Sequence, residues 1–171
     1  MTHEELCARA RRWLSSTRRC KPVFSNIASC REIPDAIGWS SCFAWRGSTV
    51  VECKTSRGDF YADRRKYVMY QSSDGYRFAS NRLSDKFAEE HGYTLIDLPR
   101  MGDFRYFLCE PDVLSADLVQ IHAPDHGLIY IEDARRVRIV RTAIRREVSM
   151  VDKEAEIRYL RFAINNRKTP E

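Results

Sequence analysis

The sequence predicts a single α/β domain, with a mixed sheet in a strand-rich middle and helices on either side. Three observations carry this. Leu6, Cys7, Ala10, Trp13 and Leu14 recur at helical spacing over residues 2–16, giving one apolar stripe. The runs STVVECK, FRYFLCE, GLIYIED and RRVRIVRTA are rich in β-branched and aromatic residues and are separated by turn chemistry. A last stretch, about 152–166, returns to helical spacing, with Ile157, Leu160 and Ile164 expected on its buried face. Helices at both ends of a strand-rich stretch argue for one layered domain.

The elements follow in order. Thr2 and Glu5 fit a capping box at the start of the first helix. PVFSNIA (22–28) reads as a short strand. REIPDAIGWS reads as another, with Ile33, Ile37 and Trp39 on one parity, and a loop around SCFAWRG joins it to STVVECK. Ser56 and Asp59 open a helix running through Phe60 to about Val68. QSSDG is a loop, Asn81 to His91 a helix closed by Gly92, and TLIDL a strand. FRYFLCE is a strand ended by Pro111. GLIYIED and RRVRIVRTA form a C-terminal hairpin with Glu132-Asp133-Ala134 near its turn, followed by the last helix. Residues 67–103, with Tyr67, Tyr70, Tyr76 and Tyr93, read as an insertion or flap, or as a plain surface excursion.

The 171 residues suffice for one domain with a real core, and 43% apolar with 31% charged residues is globular composition. No run approaches the ~18 apolar residues of a membrane span. The charged start MTHEELCARARRW does not read as a secretory signal. Six cysteines without a CxxC pair show no zinc framework and suit reduced thiols in a cytoplasmic protein. The net charge of +5 permits a polyanionic partner without demanding one. Arginines crowd at Arg9–Arg19, Arg57–Arg65 and Arg135–Arg146, as solvated faces or as contacts for such a partner.

The chemistry concentrates at 35–54. Side chains alternate along a strand, so Glu52 and Lys54 share a face and Cys53 points the other way, as a small core residue rather than a nucleophile. An antiparallel register in which paired numbers sum to 87 sets Trp39 against Ser48, Ile37 against Val50 and Asp35 against Glu52. Opposed Cβ atoms lie roughly 4.5–5.5 Å apart. Two carboxylates at that spacing repel unless a cation sits between them. Asp35, Glu52 and the Cys53 carbonyl supply the oxygen ligands that Mg²⁺ prefers, and Lys54 lies beside them to orient or help deprotonate a water.

These residues, Pro34-Asp35 and Glu52-Cys53-Lys54, resemble the PD-(D/E)xK nuclease superfamily, which includes restriction endonucleases and Holliday-junction resolvases. The longer pattern IPDAIGW … VVECKTSRGDFYADRRK … MGDFRYFLCEPDVL … GLIYIEDARRVRIVR looks like small bacterial and phage proteins of this type, some associated with DNA repair. The resemblance implies a restriction-endonuclease-like α-β-β-β-α-β core, Mg²⁺ or Mn²⁺ dependence and a DNA substrate. It implies that Asp35 and Glu52 are metal ligands and Lys54 the catalytic lysine. It also points to a first-helix glutamate, taken here as Glu5, with Glu32 as the alternative. Basic residues after the motif, Arg57, Arg64, Arg65 and Lys66, become candidate DNA contacts, as do Arg136 and Arg138 on the hairpin.

Other constellations are weaker. His122 and His126 invite a metal reading, which Pro124 opposes on a helix, leaving a polar loop as the alternative. Nucleophile-elbow, phosphate-loop and dinucleotide motifs are missing. A catalytically inactive nuclease fold that binds DNA or, in a phage-encoded chain, a host protein is the rival to an enzyme. A homodimer is compatible with either.

Overall fold

The computed structural model describes residues 1–27, 32–66, 68–79, 85–134 and 136–166; the side chains of 64–66, 78, 79 and 85 are not among those described. Helix α1 (His3–Ser16) opens with the expected capping box: Thr2 Oγ1 accepts from Glu5 N, and Glu5 Oε2 accepts from Thr2 N. All five residues of its apolar stripe are buried. The chain continues through strands β1 (Val23–Phe24), β2 (Ala36–Ser40) and β3 (Gly47–Cys53) to α2 (Arg57–Lys66). Then come β4 (Val68–Gln71), β5 (Arg77–Ala79), α3 (Asp85–Glu90) and β6 (Thr94–Asp97). The last part holds β7 (Phe104–Cys109), α4 (Ala116–His122), β8 (Gly127–Ile131), β9 (Val137–Arg141) and α5 (Lys153–Asn165).

The result is an α/β fold around a mixed six-stranded sheet, ordered β1-β2-β3-β7-β8-β9. β1, β2 and β3 run antiparallel in turn, β3 and β8 each lie parallel to β7, and β9 returns antiparallel. A second, three-stranded sheet, β5-β4-β6, is built from the segment between α2 and β7. No helix is long and apolar enough to cross a membrane among the described residues.

Alternation splits the main sheet between two faces. Ala36, Val51, Cys53, Tyr106, Leu108 and Ile129 pack against α1. Ile37 and Val50 meet Tyr159 and Ala163 of α5 on the other side, while Phe107 and Leu128 meet Phe60 and Val119 of α2 and α4.

Several local expectations change. β1 keeps only two residues, and Ile33 lies outside β2, 48% exposed. α2 ends at Lys66, and Val68 already belongs to β4. The helix expected over Asn81–His91 is α3; residues 81–84 and Tyr67 lie outside the described residues. α4 arises where no helix was expected, capped by Ser115 Oγ accepting from Leu118 N. The buried face of α5 is Ala155, Glu156, Tyr159 and Ala163, whereas Ile157 and Ile164 are exposed. The cause is a polar anchor: Glu156 Oε1 accepts from Ser48 Oγ at 2.7 Å and from Gly102 N at 2.8 Å, which turns α5 about its axis. Arg18 is no part of a solvated face either. It is buried, with its guanidinium 4.0 Å from the Trp45 ring centroid and Nη2 donating to Thr49 Oγ1.

Candidate functional site

The register of β2 on β3 is the expected one: Ile37 faces Val50, Trp39 faces Ser48, and Ala36 faces Val51. Asp35 is the residue just before β2, so continuing this register sets it across from Glu52. β3 does not stop at Cys53 on its other edge, because Lys54 N donates to Leu108 O at 2.9 Å. Glu52 and Lys54 are therefore held on one face, at the end of the sheet where α2 begins. Ser56 Oγ caps that helix by accepting from Asp59 N.

The Asp35 side chain does not lie over Glu52. Its Oδ2 accepts from Cys53 N at 2.7 Å, taking the place of the strand carbonyl that β2 no longer supplies. Its Oδ1 lies 3.2 Å from His3 Nε2. Among the described residues, the metal-capable side chains that converge with Asp35 are His3 and Cys7, not Glu52. The Cys53 thiol points to the α1 side, as its parity requires, and is buried there.

Glu52 is buried and ion-paired with Arg105, at 3.1 Å from Nη2. Burial pushes its pKa up to about 8; Arg105 and Lys54 pull against this, while Asp63 and Asp35 add to it. Lys54 is also buried, with Nζ 3.1 Å from Asp63 Oδ2 on α2. Burial opposes its charge, yet Glu52, Asp63 and Asp59 outweigh burial and the net shift is upward. Lys54 is a held ammonium here, suited to neutralising charge rather than to accepting a proton.

Arg105 is the hub that sequence reasoning missed. It is fully buried and its Nη1 donates to Glu32 Oε1 and to Met101 O, each at 2.6 Å. Its Nε donates to His126 Nε2 at 3.2 Å. His126 in turn meets Asp125 at 2.6 Å, and Asp125 meets Arg146 at 2.9 Å. Burial drives the His126 pKa down to about 4, against the pull of Asp125. His126 stacks on Phe107, while His122 packs near Phe60 and Tyr61, so the two do not act as a pair. Of the two glutamates considered outside the motif, Glu32 joins the Arg105 network, whereas the exposed Glu5 carboxylate is engaged in the capping box. The one available signal was parity along 32–40, and the bend at Asp35 blurs it.

The basic candidates are scattered. Arg57 Nε donates to Val113 O at 3.3 Å. The side chains of Arg64, Arg65 and Lys66 lie outside the described residues. Arg136 lies just before β9 and pairs with Asp133 at 2.7 Å. Arg138 pairs with Glu132 at 2.8 Å. Both hairpin arginines are partly neutralised by acids of their own turn. An open cleft lined by Glu32, Pro99, Val151, Asp152 and Lys153 reaches the network from the α5 side.

No protein family matches the chain, and no curated protein matches it. Among solved structures it is similar to a protein of unknown function from Silicibacter pomeroyi, with a TM-score of 0.55 and 18% identity. The match covers 97% of this chain and 89% of that one. At this identity the likeness concerns the fold alone.

Proposed function

We propose that the protein is a divalent-metal-dependent phosphodiesterase that cleaves DNA, of the PD-(D/E)xK type. The observation that carries the reading is the β2–β3 register. It aligns Asp35 with Glu52 at one strand end, with Lys54 on the Glu52 face and α2 directly after. The order α1-β1-β2-β3-α2, followed after the β4-β5-α3-β6 segment by β7, with β3 parallel to β7, supports a restriction-endonuclease-like core.

The donor set suits a hard cation. Glu52 is a buried carboxylate whose charge Asp35 and Asp63 disfavour, and a cation beside it would relieve that crowding. Asp35, Glu52 and the Cys53 carbonyl would hold Mg²⁺ or Mn²⁺, with the Asp35 side chain turning from His3. Such an ion, when bound, polarises a phosphate oxygen and acidifies a water. Lys54, kept protonated by Asp63 and Glu52, orients that water and offsets charge on the phosphate. Arg105 fixes the Glu52 carboxylate, and Glu32 is that arginine's second counterion.

The test is incubation of supercoiled and branched DNA with the purified chain in Mg²⁺ or Mn²⁺. Cleavage is expected, falling by about 100-fold or more in Glu52→Ala and Lys54→Ala. Absence of metal-dependent cleavage in the wild type would sink the reading. One observation favours a second reading, an inactive nuclease fold that binds DNA or a host protein: Glu52 and Lys54 are already compensated internally by Arg105 and Asp63. Salt-sensitive DNA binding that is unchanged in Glu52→Ala, without cleavage, is its signature.

A further inference from the structure

The opposite face of the β2–β3 strand end carries a second constellation, at the start of α1. His3 and Cys7 are one helical turn apart and project together. The Cys7 sulfur lies 3.6 Å from His3 Nδ1. The other ring nitrogen, Nε2, lies 3.2 Å from Asp35 Oδ1. One donor atom from each of these three side chains lies within 4.8 Å of the others.

We propose that Cys7, His3 and Asp35 bind zinc or a similarly thiophilic divalent ion on the α1 side of the sheet. Zinc–sulfur and zinc–nitrogen bonds of about 2.3 and 2.0–2.1 Å at a tetrahedral angle put the two donors roughly 3.5 Å apart. The observed 3.6 Å already meets this, so the pair needs no rearrangement. Asp35 Oδ1 is the third donor, its other oxygen already anchored by Cys53 N. A thiol beside an imidazole selects a thiophilic ion over magnesium. His3 is 49% exposed and gives the ion a route in, and a water completes the coordination. The same Cys–His–Asp chain would suit a nucleophilic cysteine. Cys7, however, is 2% exposed and packed among Leu6, Ala10 and Val51, where a substrate carbonyl cannot reach it.

This inference shares Asp35 with the nuclease reading, in which that carboxylate turns from His3, so the two ions compete for it; cobalt absorption tests the one and DNA cleavage the other. Co²⁺ is the probe, titrated into the reduced, metal-free full chain and followed by the thiolate-to-cobalt absorption in the near ultraviolet. About one equivalent should bind with that band and be displaced by Zn²⁺. Cys7→Ser should remove the band, His3→Ala should weaken binding about tenfold or more, and Glu52→Gln should change neither. His3 is exposed in the first turn of α1, so its replacement leaves the core intact. Failure of the wild type to show the band, its survival in Cys7→Ser, or unchanged affinity in His3→Ala overturns the proposal.

Discussion

The Arg105 guanidinium lies 3.1 Å from the Glu52 carboxylate, and neither side chain is more than 7% exposed. The pair sits inside a chain of polar contacts, Glu32–Arg105–His126–Asp125–Arg146, that crosses from just before β2 to the segment after β9. A buried ion pair adds little net stability over an apolar one, but removing one partner strands the other charge.

Arg105→Met should therefore destabilise the protein by about 3–5 kcal/mol in urea unfolding. Adding Glu52→Gln to Arg105→Met should recover part of that loss, with a coupling of about 1–3 kcal/mol. Strict additivity of the two changes would mean that the contact is energetically silent.

Lys54 and Asp63 allow stability to be separated from the proposed catalysis. Lys54→Met alone leaves Asp63 buried without its ammonium and should cost about 3 kcal/mol. Lys54→Met with Asp63→Asn should regain most of that stability while DNA cleavage stays lost. A double variant that cuts DNA at the wild-type rate would show that Lys54 has no part in the chemistry.

His126 sets a pH dependence. Its folded pKa is depressed to about 4 from an ordinary 6.5, so between those values the unfolded chain binds the proton more readily. Stability should fall as pH drops from about 6.5 to 4 and be insensitive to this group above 6.5, an effect of up to about 3 kcal/mol. Glu52, raised to about 8, acts in the opposite sense between about 4.5 and 8, so comparison with a variant isolates the histidine. His126→Gln keeps an acceptor toward Arg105 and should lose the acid slope. Parallel pH profiles for the two proteins would contradict the assignment.

Gly127 opens β8 directly against Tyr106. A Cβ there would stand 2.2 Å from the Tyr106 ring and 2.7 Å from Ala143 N. Gly127→Ala should cost about 2 kcal/mol or more by overpacking, read as a lower thermal midpoint.

Much of the frame was legible because it is local. Period-two alternation fixed the β2–β3 register to the residue, and the Thr2 capping box and the α1 stripe needed only spacing. The site's partners were not legible, since they come from distant parts of the chain: Arg105 and Asp63 reach Glu52 and Lys54 only after β7 and α2 have packed. The Asp35 carboxylate escaped the alternation argument because the residue lies in a bend outside the ladder, where a side chain is free to cap a neighbouring N–H. The rotation of α5 was hidden for a related reason. Apolar spacing favoured Ile157 and Ile164, but the needs of Ser48 and Gly102 for Glu156 decided the buried face.

The parallel pairing of β3 with β7 has a kinetic meaning. Thr49 meets Phe104, so the centre of the main sheet closes a loop of about 55 residues, and that entropy is lost before any contact across the ladder rewards it. The β2–β3 hairpin, by contrast, zips locally. Folding should thus reach a stage in which the Asp35 and Glu52 strands are paired while Arg105 is still in water, and the pocket around Glu52 is sealed in the last cooperative step.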